Sequence, residues 1–124
     1  MVKVQAPFNA RAYVIILLTL ITALIHLYLA FRFPGGPDLI FILNGLGYIT
    51  LVTLLYLPIP ALDPVRSLVR WLLMAFTAIT IGLWVMMGAG SPLTATPPNP
   101  IAYIDKLIEL ALLVLLWLDQ QADR

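Results

Sequence analysis

Long apolar runs, broken by short connectors rich in proline and glycine, organise the whole chain. The runs extend from Tyr13 to Phe31, Leu39 to Leu57, Trp71 to Met87 and Ile101 to Leu118, each 17 to 19 residues long. A helix rises about 1.5 Å per residue, so about 20 residues cross the roughly 30 Å of hydrocarbon in a bilayer. The connectors RFPGGPD, PIPALDP and GAGSPLTATPPNP hold the residues that end helices. The pattern therefore predicts membrane-crossing helices near 13–31, 39–57, 68–88 and 101–118, within a single domain spanning 1–124. Short loops join antiparallel neighbours, so the expected fold is all-α, a transmembrane up-and-down four-helix bundle.

Composition sharpens this picture. The chain is 62% hydrophobic and 10% charged, against about 25% charged in an average soluble domain. A soluble bundle carries charge along one face of each helix, yet the second run, LIFILNGLGYITLVTLLYL, has none. The absence of cysteine excludes disulfides, thiolate metal sites and thiol catalysis. A net charge of +1 gives no basis for nucleic-acid binding. Lys3 and Arg11 precede the first run as they would in a signal peptide, but its core is too long and LAFRFPGG lacks a small-x-small cleavage pattern, so the run is expected to stay in the mature protein. No repeat relates the two halves, which removes support for an inverted-repeat transporter.

Basic residues set the expected orientation. Lys3, Arg11, Arg66, Arg70 and Arg124 flank one side and Arg32 and Lys106 the other, five against two. Both termini and the middle connector are therefore expected in the cytoplasm of a multi-pass cell-membrane protein. Tyr13, Phe31, Tyr56, Trp71, Trp84, Tyr103 and Trp117 stand near run ends, where aromatic rings anchor at interfaces.

Candidate chemistry lies in the few polar residues inside the runs. Thr19, Thr22 and His26 share one helical stripe, as do Asn44, Gly47 and Tyr48, then Thr77, Thr80 and Trp84, and finally Asp105 and Glu109. Hydrocarbon penalises exposed polar groups, so all four stripes are expected to face inward. His26, Asn44, Trp84, Asp105 and Glu109 fall about 5 to 12 Å below the outer edge at about 1.5 Å per residue. The expected bundle is polar in its outer half and dry in its inner half, with no continuous pore. An outer pocket of His26, Asn44, Tyr48, Thr80, Trp84, Asp105 and Glu109 is the candidate ligand-binding site.

Each residue also has a plain structural reading. An intramembrane histidine commonly only hydrogen-bonds a neighbouring helix, and Asp105 with Lys106 is expected near the headgroups, where long side chains reach water. Glu109 lies deepest, and an ionised carboxylate there needs a cation or donors. The His26 ring or the Asn44 amide is expected within hydrogen-bond or one-water reach of Glu109 or Asp105. In NGLGY the glycines read as sites of close helix approach rather than as a phosphate loop. A single imidazole with no second histidine or cysteine is a weak metal signal, bis-histidine haem is impossible within one chain, and consecutive Met86 and Met87 point roughly 100° apart. No metal, cofactor or catalytic residue is predicted, and the chain is not expected to be an enzyme.

The segments ALIHLYLAF, ILNGLGY, IGLWV and IDKLIELALLVLL together resemble a family of small four-helix membrane proteins of unknown function from haloarchaea and some other prokaryotes. The likeness covers the helices and not the tails. It implies a bundle, draws attention to His26, Asn44, Asp105 and Lys106, and supplies no activity. Two function classes remain. The leading expectation is a non-catalytic accessory subunit that docks, through lipid-facing helices, on other membrane-protein subunits or on itself. The alternative is a binder of a small ligand, lipid headgroup, quinone-like molecule or proton in the outer pocket.

Overall fold

The computed structural model describes residues 8–94, 97 and 99–122. Of these, 80% are helical, in four α-helices and one 3₁₀ turn, with no strand. The helices are α1 (Ala10–Ala30), α2 (Leu39–Tyr56), α3 (Arg66–Met87) and α4 (Pro100–Ala122), with a 3₁₀ turn at Pro60–Val65 leading into α3.

The termini follow from local chemistry. Asn9 accepts a hydrogen bond from the Ala12 amide at 2.8 Å, and Asp38 accepts one from Phe41 at 3.0 Å, each satisfying an orphan donor of a first turn. Asn99 does the same for Ile101 at the start of α4. Between α1 and α2 the chain reverses through Gly35 and Gly36, whose φ values of +92° and +115° suit glycine alone. The Asp38 amide closes that reversal on the Ala30 carbonyl at 2.8 Å. At the other end, the Arg66 guanidinium donates to the carbonyls of Leu55, Leu57 and Ile59, satisfying the exposed end of α2.

Consecutive helices pack side by side and α4 returns against α1, so α1 lies diagonally opposite α3, and α2 opposite α4. The core is Ile15, Ala23, Tyr48, Leu55, Val69, Leu73, Leu112 and Leu116. Close approach of α1 and α2 depends on Gly45, where an added Cβ would stand 2.9 Å from the Ala23 carbonyl oxygen and 2.7 Å from Leu27 Cγ. Gly47 faces the Phe76 ring instead. Outward, each helix presents apolar side chains, such as Leu17 and Leu24 on α1, Ile40 and Leu43 on α2, Ile79 and Met86 on α3, and Leu107 and Val114 on α4. Thr50 and Thr53 tolerate exposed positions because each hydroxyl donates to the carbonyl four residues earlier.

Three helical segments, Ala10–Ala30, Leu39–Tyr56 and Pro60–Met87, are long and apolar enough to cross a membrane. The fourth helix differs in composition, because Asp105, Lys106 and Glu109 interrupt its apolar run. It also continues past Leu118 to Ala122, which carries Asp119 and Gln120 into the bundle. The expectation of a dry inner half is overturned by that extra turn. The bundle holds two buried polar layers, one at the His26 end and one at the Arg70 end, with Ile15, Leu55, Leu73, Leu112 and Leu116 filling the space between them.

Candidate functional site: a buried charge cluster

Helical spacing brings the first polar layer together. On α1, Thr22 and His26 lie four residues apart and face α4, where Asp105 and Glu109 lie four apart on the inward stripe. The Thr22 hydroxyl donates to Asp105 Oδ1 at 2.6 Å. The Nδ1 of His26 stands 2.8 Å from the Thr22 carbonyl oxygen, which can only accept, so that nitrogen carries a hydrogen. This leaves Nε2 turned toward Asp105 Oδ2 at 3.7 Å. From the diagonal helix α2, the long Tyr48 side chain crosses the core and its hydroxyl donates to Glu109 Oε2 at 2.5 Å.

Lys106 completes the set. Its ammonium lies 3.2 Å from Asp105 Oδ2 and 2.5 Å from Glu109 Oε1, bridging both carboxylates. The expected headgroup position for Asp105 and Lys106 is therefore wrong: they are only 3% and 7% exposed, and Glu109 is fully buried. An i,i+3 carboxylate on its own helix gave the lysine a nearer partner than the interface. His26 does stand within the expected reach of the acids, 3.7 Å from Asp105, while Glu109 takes its direct bonds from Lys106 and Tyr48, and Asn44 bonds Thr80 instead.

The remaining candidates line one side of the cluster. Asn44 donates to Thr80 Oγ1 at 2.8 Å, joining α2 to the adjacent α3 instead of reaching the acids on diagonal α4. Thr80 passes its own hydrogen to the Phe76 carbonyl. Trp84 places its ring 5.8 Å from the Lys106 ammonium, a cation–π contact, and packs edge-on against Tyr103. His26 also contacts the Phe41 and Tyr48 rings, with centroids 5.6 and 5.9 Å away. All seven candidates thus stand at one end of the bundle. Asn44 and Thr80 form a separate pair from the His26, Tyr48, Asp105 and Glu109 network, and Trp84 joins that network through Lys106.

His26, Asp105 and Glu109 each offer a ligand atom within 4.8 Å of the others, a spacing compatible with a metal ion. The place a cation would take between the two carboxylates is, however, held by the Lys106 ammonium. A metal would have to displace it.

The second polar layer escaped the sequence reading. Asp119 accepts from Arg11 Nε at 2.9 Å and lies 3.0 Å from Arg70 Nε. Arg70 also donates to Gln120 at 2.7 Å, and Gln120 donates to Ser67 at 2.8 Å. The Tyr56 hydroxyl stands 3.5 Å from the same Asp119 carboxylate. Residues from all four helices thus tie the Arg70 end. The signal was present in the stripe Ala102, Asp105, Glu109, Leu112, Leu116, Asp119, whose three- and four-residue steps pass straight through the end of the apolar run.

Comparison of the chain with family models, with curated proteins and with solved structures finds no match in any of the three.

Proposed function

We propose that the chain is a multi-pass membrane protein, with all four helices crossing the bilayer and both termini cytoplasmic, whose working part is a proton-binding site built from His26, Asp105, Lys106 and Glu109. Placing α4 in the bilayer is supported by the direction of its charges, which point into the bundle, while Ile104, Leu107, Leu110 and Val114 point out. For orientation, Lys106 and Arg70 are both buried and paired, so both leave the tally of flanking charges. By sequence the balance is then Lys3, Arg11, Arg66 and Arg124 against Arg32.

Charge balance carries the functional reading. Two carboxylates meet one ammonium, so with both acids ionised and His26 neutral the cluster carries one surplus negative charge. An unbalanced charge in hydrocarbon costs several kcal/mol, of order 3 or more. A proton on His26 Nε2, directed at Asp105 3.7 Å away, balances the set. Bulk access is from the His26 end, since the apolar layer lies between this cluster and the Arg70 end. The site therefore exchanges protons with the outer side and does not form a conduit. An accessory-subunit role has less support, because exposed apolar residues ring all four described helices, as lipid contact requires, and mark no one docking face.

The test is proton uptake by the protein in lipid nanodiscs. Between about pH 5 and 8, the range in which histidine titrates, the wild-type chain should bind about one proton more than His26→Gln. Equal uptake by the two, with no change in the carboxyl infrared bands, would overturn the proton site. Orientation is checked separately with a membrane-impermeant maleimide on intact cells. Pro34→Cys, in the α1–α2 loop, should label, and Ala61→Cys, in the 3₁₀ turn, should not.

A further inference from the structure

An apolar groove of about 270 Å³ runs along the outside of the bundle between α1 and α2 at the Arg70 end. Phe8, Ile16, Leu20, Val52, Thr53 and Tyr56 line it, together with Leu57 and Pro58. Its Tyr56 wall leads to the second polar layer, because the Tyr56 hydroxyl and the Arg11 guanidinium approach the same Asp119 carboxylate, at 3.5 and 2.9 Å. Phe8 packs edge-on against both Tyr56 and Tyr13, fixing the rim.

Charge at that rim is unbalanced in the opposite sense from the His26 cluster. Among the described residues, Arg11, Arg66 and Arg70 face Asp63 and Asp119, three positive charges against two negative, a surplus of +1. Arg66 is spent on Asp63 and backbone carbonyls, and Arg70 is buried. Arg11 is different: it meets Asp119 through Nε alone among the described residues, and its side chain is 29% exposed. Its terminal amino groups are thus free to form a bidentate contact with an oxyanion at the membrane surface.

We propose that this groove and Arg11 form a binding site for a phospholipid with an anionic headgroup, one acyl chain lying between α1 and α2 and the phosphate held by Arg11. The inference rests on the membrane placement of the bundle and is independent of the proton site. An acyl chain fits a groove whose walls are almost wholly apolar, and a phosphate in the surrounding headgroup layer answers the surplus charge.

The experiment is native mass spectrometry of the purified chain in detergent with equal amounts of dioleoyl phosphatidylglycerol and dioleoyl phosphatidylcholine. The expected result is about a fivefold preference for the glycerol lipid, the size that one basic residue near a membrane surface provides. Arg11→Gln should abolish the preference while Arg11→Lys keeps most of it, and Thr53→Trp, which fills the groove, should reduce binding of both lipids. Equal uptake of the two lipids, a preference unchanged in Arg11→Gln, or an equivalent adduct formed with inorganic phosphate alone would overturn the proposal. Membrane placement fails in a different assay: a protein extracted from vesicles by alkaline carbonate refutes the placement, whereas an inserted protein that takes both lipids alike refutes only the site.

Discussion

Lys106→Met tests the central cluster most directly. The ammonium stands 3.2 Å from Asp105 and 2.5 Å from Glu109. At an effective dielectric of about 20, each contact near 3 Å corresponds to about 5 kcal/mol of attraction before desolvation is subtracted. Desolvating three charged groups takes back most of that sum, so the attraction is no guide to what the lysine contributes. Its removal is the more decisive quantity, because the two carboxylates would be left facing each other with only the Thr22 and Tyr48 hydroxyls as donors and a neutral His26 beside them. Stranding buried charge in this way costs about 3–5 kcal/mol, a large share of the roughly 5–15 kcal/mol by which a domain is stable.

The assay is reversible unfolding in bicelles, run on Lys106→Met, Glu109→Gln and the double variant. Glu109→Gln beside Lys106→Met removes one of the stranded charges, so the double variant should be more stable than the sum of the single losses implies, by about 1–3 kcal/mol. If Lys106→Met costs less than about 1 kcal/mol, the value of an exposed pair, the lysine reaches headgroups and the internal cluster is refuted. Strict additivity would refute the coupling between Lys106 and Glu109 even if the single losses are large.

Other substitutions probe the packing and the second layer. Gly45→Ala should cost about 1–3 kcal/mol in the same assay through overpacking, because its Cβ meets the Ala23 carbonyl at 2.9 Å, whereas Gly82→Ala, with nothing within 4 Å, should stabilise α3 by about 0.5–1 kcal/mol. Equal effects at the two glycines would mean that α1 and α2 are not in close contact. Asp119→Asn deprives Arg11 and the buried Arg70 of their shared carboxylate and should cost about 3 kcal/mol or more, while Asp63→Asn, in a pair whose aspartate is 55% exposed, should cost less than about 1 kcal/mol.

Helix number and approximate limits could be read from the chain because membrane-length apolar runs and Pro/Gly connectors are signals that act locally. Gly35 and Gly36 illustrate this, since their positive φ values follow from the turn their own sequence makes. The polar stripes were legible for a similar reason: period 3.6 puts Thr22 with His26 and Asp105 with Glu109 whatever the neighbours are. Which stripe meets which is a tertiary matter. Asn44 bonds Thr80 because α3 is adjacent to α2, and Tyr48 reaches Glu109 on diagonal α4 only because its ring spans the core. Lys106 was misplaced because depth alone favours snorkelling, while the deciding quantity was the distance to two acids on the same helix. Asp119 and Gln120 were missed because hydrophobic segmentation stopped at Leu118, one turn before the helix does.

The proposed placement of α4 in the bilayer raises the question of how that helix would enter it. By length and composition the other three helices qualify as spans unaided, but α4 carries Asp105, Lys106 and Glu109 in its first half. Lys106 and Glu109 lie three residues apart, so their pair forms within the helix itself and reduces the charge that must be desolvated before any neighbour is present. What remains is one carboxylate and the unmet hydrogen-bond demand of both acids. Thr22 of α1 and Tyr48 of α2 donate to the two acids, and a protonated His26 of α1 would add a third donor, all from two of the three helices that precede α4. The cluster is therefore satisfied only in the assembled bundle, and its contacts set the depth and rotation of α4 against α1. The proposed proton on His26 would act directly on a contact between those helices, so its binding and the packing of α1 against α4 would be linked.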